Sequence, residues 1–203
     1  MRAVVAAILL DPEARDVAMI DNPEFGKIRE PVIRFTHWAR AFGVEDTDIG
    51  GINALQNSNT INRLSQQAYR SPSVFNFYRP GFVSPGSDSA AAGLVAPELQ
   101  ITTASSVTGY ANFMEDFITR DVAEVEYTPD YADEILLAND PAGLVDHLDN
   151  IFTYGTLRSA TRNRIIEAIE AITSGDGSFT RDEVRVQTAV LFFMTSSDYI
   201  IAK

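Results

Sequence analysis

Apolar positions recur at helical spacing along most of this chain. Val4, Val5, Ile8 and Leu9 mark a first short helix, and Asp11-Pro12 ends it, because the residue before a proline is pushed out of the helical region. From Lys27 to Phe42 the pattern predicts a second helix. Ile28, Val32, Phe35, Ala39 and Phe42 share its apolar face, Glu30, Arg34, His37 and Ala41 form the opposite stripe, and Gly43 supplies the stop. Val107, Tyr110, Ala111, Met114, Phe117 and Ile118 give a wide apolar face on a helix of about four turns. Asp140-Pro141 reads as an N-cap followed by proline at the first helical position, with Leu144, Val145, Leu148, Ile151 and Phe152 behind it. Ile165, Ile166, Ile169 and Ile172 mark the next helix. Thr180 and Glu183 form a capping box that opens a last one carrying Val184, Val190, Leu191 and Met194. No stretch alternates strictly between hairpin turn signals. The expectation is an all-α fold, an irregular helical bundle spanning residues 1–203.

Between residues 44 and 106 this periodicity breaks down. Residues 60–69 fit one more helix through Ile61, Leu64 and Ala68, after which Pro72, Pro80, Pro85 and Pro97 with Gly81, Gly86 and Gly93 punctuate a long irregular connection. Phe75, Phe77, Tyr78 and Phe82 place four aromatics within eight residues, a density that argues for order there. Residues 83–93, rich in Ser, Ala and Gly, are compatible with mobility. The aromatic run fits a stacking platform with polar edges at Asn76 and Arg79, or a plug for the helical core; the plug is the favoured expectation.

Composition narrows the classes of function. The chain is 45% apolar and 22% charged, enough for a core and too apolar for a disordered segment. Its formal charge of −12, without a dominant basic patch, disfavours nucleic acid as a partner. The absence of cysteine excludes disulfides and thiolate chemistry. The uncharged run from Val186 to Ser197 is too short and too polar to span a membrane. Residues 1–10 imitate a secretion signal, but three acids between Asp11 and Asp16 occupy the place of a cleavage site. The chain starts as though inside a helix, and a fragment of something longer is expected.

Few residues group into recognisable chemistry. Glu30, Arg34 and His37 on one helix face are compatible with anion binding or proton relay; their spacing favours a solvent-facing i, i+4 pair of Glu30 with Arg34. Trp38, on the flank of the same helix, is expected to pack. Ile172 to Glu183 places Gly177, Phe179 and Glu183 as a calcium loop would, but Ile172 stands where the first carboxylate belongs, so a capped turn is expected instead. His37 and His147 lack zinc-ligand spacing, and no phosphate loop, dinucleotide fingerprint or nucleophile elbow is present. No metal or other cofactor is expected. The run Glu115 to Glu134, eight carboxylates to one arginine, reads as a solvated face.

Three motifs carry a resemblance. These are Phe25-Gly-Lys-Ile-Arg-Glu-Pro-Val32, Ser71-Pro-Ser-Val-Phe-Asn-Phe-Tyr-Arg-Pro-Gly81 and Gly93-Leu-Val-Ala-Pro-Glu-Leu-Gln-Ile-Thr102. With the opening Ala6 to Arg15 and the closing Ala189 to Tyr199, they resemble successive signatures of the bacterial family called domain of unknown function 1800. The resemblance implies a chain more than twice this length, of which this is the C-terminal portion, and often an exported, periplasmic or secreted protein. It also implies a gene neighbour in uncharacterised family 1501, whose fold resembles alkaline phosphatases and sulfatases, as a possible protein partner. No catalytic residues come with it, but Arg29, Glu30, Asn76, Arg79, Glu98 and Gln100 fall inside its motifs. Together with Arg34 and His37 these are the candidate ligand or partner contacts.

Two functions are therefore carried forward, beside a third reading in which the motifs only pack and the active part lies in an N-terminal half that this chain lacks. One is a non-catalytic helical interaction domain. The other is an enzyme or carbohydrate-binding protein whose site would join Arg29, Glu30 and His37 to Arg79 and Glu98, and it requires those side chains to converge in one pocket.

Overall fold

A computed structural model describes residues 1–44, 58–119 and 129–203. Helix α1 (Arg2–Leu9) and the single turn α2 (Pro12–Arg15) lead through a 3₁₀ turn (Val17–Asp21) to strand β1 (Lys27–Ile28) and helix α3 (Pro31–Ala41). Past residue 58 come the short α4 (Asp88–Ala91), a second 3₁₀ turn (Pro97–Ile101) and α5 (Ala104–Ile118). The C-terminal half consists of α6 (Ala132–Leu137), α7 (Pro141–Phe152), α8 (Ser159–Ala171), α9 (Arg181–Thr195), α10 (Ser197–Ile200) and β2 (Ile201–Ala202).

The helices follow their caps. Asp140 accepts from the Gly143 amide ahead of α7, and Thr180 with Glu183 closes the capping box of α9. Helix α9 packs against α5, α7 and α8. Val186, Val190, Phe193 and Met194 meet Leu144, Leu148, Phe152, Ile165 and Ile169 in the core. Helix α3 adds Phe35 and Trp38, with Phe35 at 4.9 Å from the Phe117 ring and 5.3 Å from Phe113. Trp38 is fully buried, as expected of packing, and its indole donates to the Tyr131 hydroxyl at 3.1 Å.

The fold is mostly α, with a two-stranded antiparallel ribbon that pairs Lys27 with Ala202 and Ile28 with Ile201. This corrects the expected helical start at Lys27. Pro31 occupies the first helical position and holds Glu30 extended at φ −63°, ψ 141°, so residues 27–29 bond to the C-terminal end instead of coiling. The expected helix over 60–69 is a series of turns. Ser65 and Tyr69 have positive φ, and the Ser58 hydroxyl donates to the Gln66 carbonyl at 2.5 Å, one of the short polar side chains here that compete with helical hydrogen bonding.

The aromatic run does not plug the core. Phe77, Tyr78 and Phe82 are half-buried and Phe75 is 60% exposed, because Asn76 at φ +68° turns the chain across the outside of the bundle. Within the acidic run, residues 120–128 lie outside the described residues, as do 45–57 of the long connection. Glu134 departs from a solvated face: it is buried, with Oε1 2.8 Å from His147 Nε2. Among the described residues no helix is long and apolar enough to cross a membrane.

Candidate functional site

The candidate residues meet where the start of α3, the connection through residues 58–100 and the C-terminal end of the chain come together. Glu30, extended by Pro31, points its carboxylate into the connection. Its Oε2 accepts from Gln66 Nε2 at 2.7 Å and from Asn76 Nδ2 at 3.2 Å, and the Tyr78 phenol adds a third donor. Gln66 is buried, and its Oε1 accepts in turn from the Val32 amide at 3.3 Å. Burial pushes the Glu30 carboxyl up, but Tyr78, Gln66 and Asn76 with the Lys27 charge outweigh it and hold the pKa below its ordinary value. Burial, with the bond to Glu30 and its charge, drives the Tyr78 phenol well above its ordinary range. The expected Glu30–Arg34 surface pair therefore does not form. A residue preceding the helix cannot stack one turn below its i+4 neighbour when proline sets its backbone extended.

Arg34 is turned inward. Its Nε donates to the Arg29 carbonyl at 2.7 Å, and its guanidinium carbon lies 4.7 Å from the centre of the Tyr110 ring. Burial lowers its pKa, and the Arg29 charge adds to the effect against a smaller opposing contribution from the Tyr110 and Tyr199 phenols. Arg29 mirrors it: its guanidinium covers the Tyr199 ring at 4.7 Å and donates to the Tyr199 carbonyl, while its own amide donates to the Ile200 carbonyl at 2.8 Å. Two cationic planes thus sit on two buried phenols, and both phenols are pushed up in pKa, chiefly by burial. His37 Nδ1 lies 3.2 Å from the Tyr199 hydroxyl. Burial, with Arg29 nearby, lowers the His37 pKa and leaves a neutral imidazole at pH 7.

Arg79, Gln100 and Glu98 complete the candidate set. The Gln100 side chain accepts from the Arg79 amide at 2.7 Å, and both residues are exposed. Glu98 is buried at the back of an open cleft of about 500 Å³ that it shares with Lys27, Phe75 and Tyr78. Glu30 and Asn76 border a shallower cleft near Gln66, and Arg34 lines a third, mostly apolar cavity. None of these three cavities is lined jointly by Arg29, Glu30, His37, Arg79 and Glu98. Among the described residues no group of three or more His, Asp or Glu side chains is placed to hold a metal ion. At the considered calcium loop, Asp176 caps its own turn by accepting from the Ser178 and Phe179 amides at 3.0 and 2.9 Å, and Glu183 belongs to the capping box.

Sequence reasoning missed four participants. Tyr78 and Tyr199 lie inside motifs that marked the family resemblance, which is the signal that could have promoted them. Tyr110 read as an ordinary apolar position, and Gln66 carried no signal at all, since its burial depends on a contact with residue 30.

Comparison with curated proteins gives no match, and comparison with solved structures gives none either. The family model described as "Protein of unknown function (DUF1800)" matches residues 1–201. Nearly the whole chain, including every candidate residue described above, falls within that match, and the protein belongs to the DUF1800 family.

Proposed function

We propose that this chain is a non-catalytic helical interaction domain of an exported protein, docking a protein partner through the apolar face of α1. The observation that carries the reading is the exposure of that helix. Val4, Val5, Ile8 and Leu9 are between 49% and 64% exposed, and no residue of α1 is buried. A contiguous aliphatic face on a helix is favourable only when something covers it, since each fully buried large side chain contributes roughly 1.5–3 kcal/mol.

The polar residues support the same reading. Glu30 and Arg29 are engaged in bonds that fasten the connection and the C-terminus to the start of α3, as structural side chains are. The alkaline-phosphatase-like proteins of family 1501 are the partner class to test first.

The test is to tag the full-length protein in its native organism, purify it gently, and identify co-purifying proteins by mass spectrometry. It is repeated with Val5→Asp, Ile8→Asp and Leu9→Asp combined. A stoichiometric partner that the wild type retains and the triple variant loses, at unchanged circular dichroism, is the expected result. Retention by the variant, or no partner at all, overturns docking through α1; hydrolase activity of the purified protein overturns the non-catalytic assignment.

A further inference from the structure

Beneath the β1–β2 ribbon lies a cavity of about 210 Å³, walled by Ile28, Leu64, Leu99, Ile101, Val107 and Ile201. Arg34 lines it from α3, Tyr110 from α5. A cationic side chain against an apolar wall is costly unless an anion accompanies it. Arg34 is only 7% exposed, and no carboxylate among the described residues lies within ion-pair distance of it. Arg29, a second cation, acts on it in the same unfavourable sense as burial.

The other polar groups around the cavity are spent as donors. The Ser106 hydroxyl donates to the Ile101 carbonyl at 2.7 Å, the Thr102 hydroxyl to the Glu98 carbonyl at 3.0 Å, and the Tyr110 hydroxyl to the Met194 carbonyl at 3.0 Å. A guanidinium carries five N–H donors, and Arg34 commits its Nε to the Arg29 carbonyl. A further N–H of Arg34 bonds the Tyr110 hydroxyl, and the terminal N–H groups left over at this cavity call for an acceptor-only, negatively charged head. The first turn of α5 also lies here through Ser106 and Val107, and the positive end of its helix dipole favours the same sign of charge.

We propose that this cavity binds a small apolar carboxylate, with the acid paired to Arg34 and the hydrocarbon body held among the aliphatic side chains beneath the ribbon. Size sets the class. An apolar cavity of roughly 150 Å³ takes up benzene, so the present volume suits one aromatic ring carrying a short acid arm. The proposal is independent of docking through α1, which is formed by a different part of the chain.

Phenylacetate is the probe, and phenylacetamide its uncharged counterpart. Titration calorimetry and thermal shift on the 203-residue chain should show phenylacetate binding with a Kd on the order of 1 mM or tighter. The amide should bind about tenfold more weakly or worse, because it loses the charge-assisted pair. Val107→Trp fills the mouth of the cavity from a position that is 55% exposed, so it should fold normally and abolish binding. Arg34→Gln, where circular dichroism shows it folded, should bind acid and amide alike. No phenylacetate binding to the wild-type chain, equal affinity for the amide, or wild-type binding by Val107→Trp each overturns the proposal.

Discussion

Replacing Glu30 by alanine tests the central physical claim, that this carboxylate fastens the connection through residues 58–100 to α3. Three donors converge on it, and their losses differ. Gln66 is 1% exposed, so its orphaned amide would find no water and would cost about 2 kcal/mol. Asn76 and Tyr78 are half-buried and can turn towards solvent, so each adds about 0.5 kcal/mol. Glu30→Ala should therefore cost about 3 kcal/mol and lower Tm by about 6–12 °C, given the usual scaling for a chain of this size. Glu30→Gln keeps an acceptor oxygen and should cost about 1 kcal/mol. Urea unfolding monitored by Trp38 fluorescence measures both, and a cycle with Gln66→Ala isolates the pair, for which a coupling of at least about 0.5 kcal/mol is expected. The pH dependence supplies an independent check. The folded pKa of Glu30 lies below its ordinary value near 4.5, so the stability it contributes is fully present above that value and lost as pH falls through the folded pKa. Glu30→Gln should remove that part of the acid slope. A Glu30→Ala variant within about 0.5 kcal/mol of wild type, with additive behaviour in the cycle, would refute the reasoning.

Three further outcomes follow from separate parts of the fold. At Gly109→Ala the added methyl would meet the backbone of Ile61 and Asn62 at 2.6 Å, so the variant should lose about 1–3 kcal/mol in urea unfolding despite the helix-propensity gain. A net gain in stability would mean that the connection does not pack on α5 as described. Lowered in the folded state, His37 binds fewer protons than in the unfolded chain, so its contribution is present above its ordinary pKa of 6.5 and declines as pH falls from there towards the folded value. Stability measured across that window should flatten in His37→Gln, and an unchanged slope would count against a desolvated imidazole. Thr180→Ala removes one half of the α9 capping box and should cost about 1 kcal/mol, read as a shift in the thermal midpoint; no shift would show that the box carries no load.

Much of the helical frame was legible because its causes are local. Asp140-Pro141 and the Thr180–Glu183 pair mark helix starts through contacts three residues apart, and Leu144, Leu148 and Phe152 bury the face their spacing assigns. Pro31 also carried its meaning in the sequence: the apolar pattern from Lys27 is helical in period, yet the proline rule already set the boundary at which α3 begins. The candidate site was legible only as a set of residue names. Arg29, Glu30, Asn76, Arg79, Glu98 and Gln100 stood in motifs, but the motifs do not state who touches whom.

That assignment belongs to tertiary structure. Arg34 looked solvent-facing by helical phase, and it is buried because the C-terminal end of the chain and α5 close over that side of α3, more than 70 residues away in sequence. Gln66 became a buried partner of Glu30 only when Ser65 and Tyr69 took positive φ and folded the connection back. The sequence by itself determined what is set by neighbours within one helical turn: caps, periodicity and proline boundaries. Only the tertiary structure decided which side chains share a low-dielectric environment, because desolvation and pairing depend on contacts between residues that the chain keeps far apart.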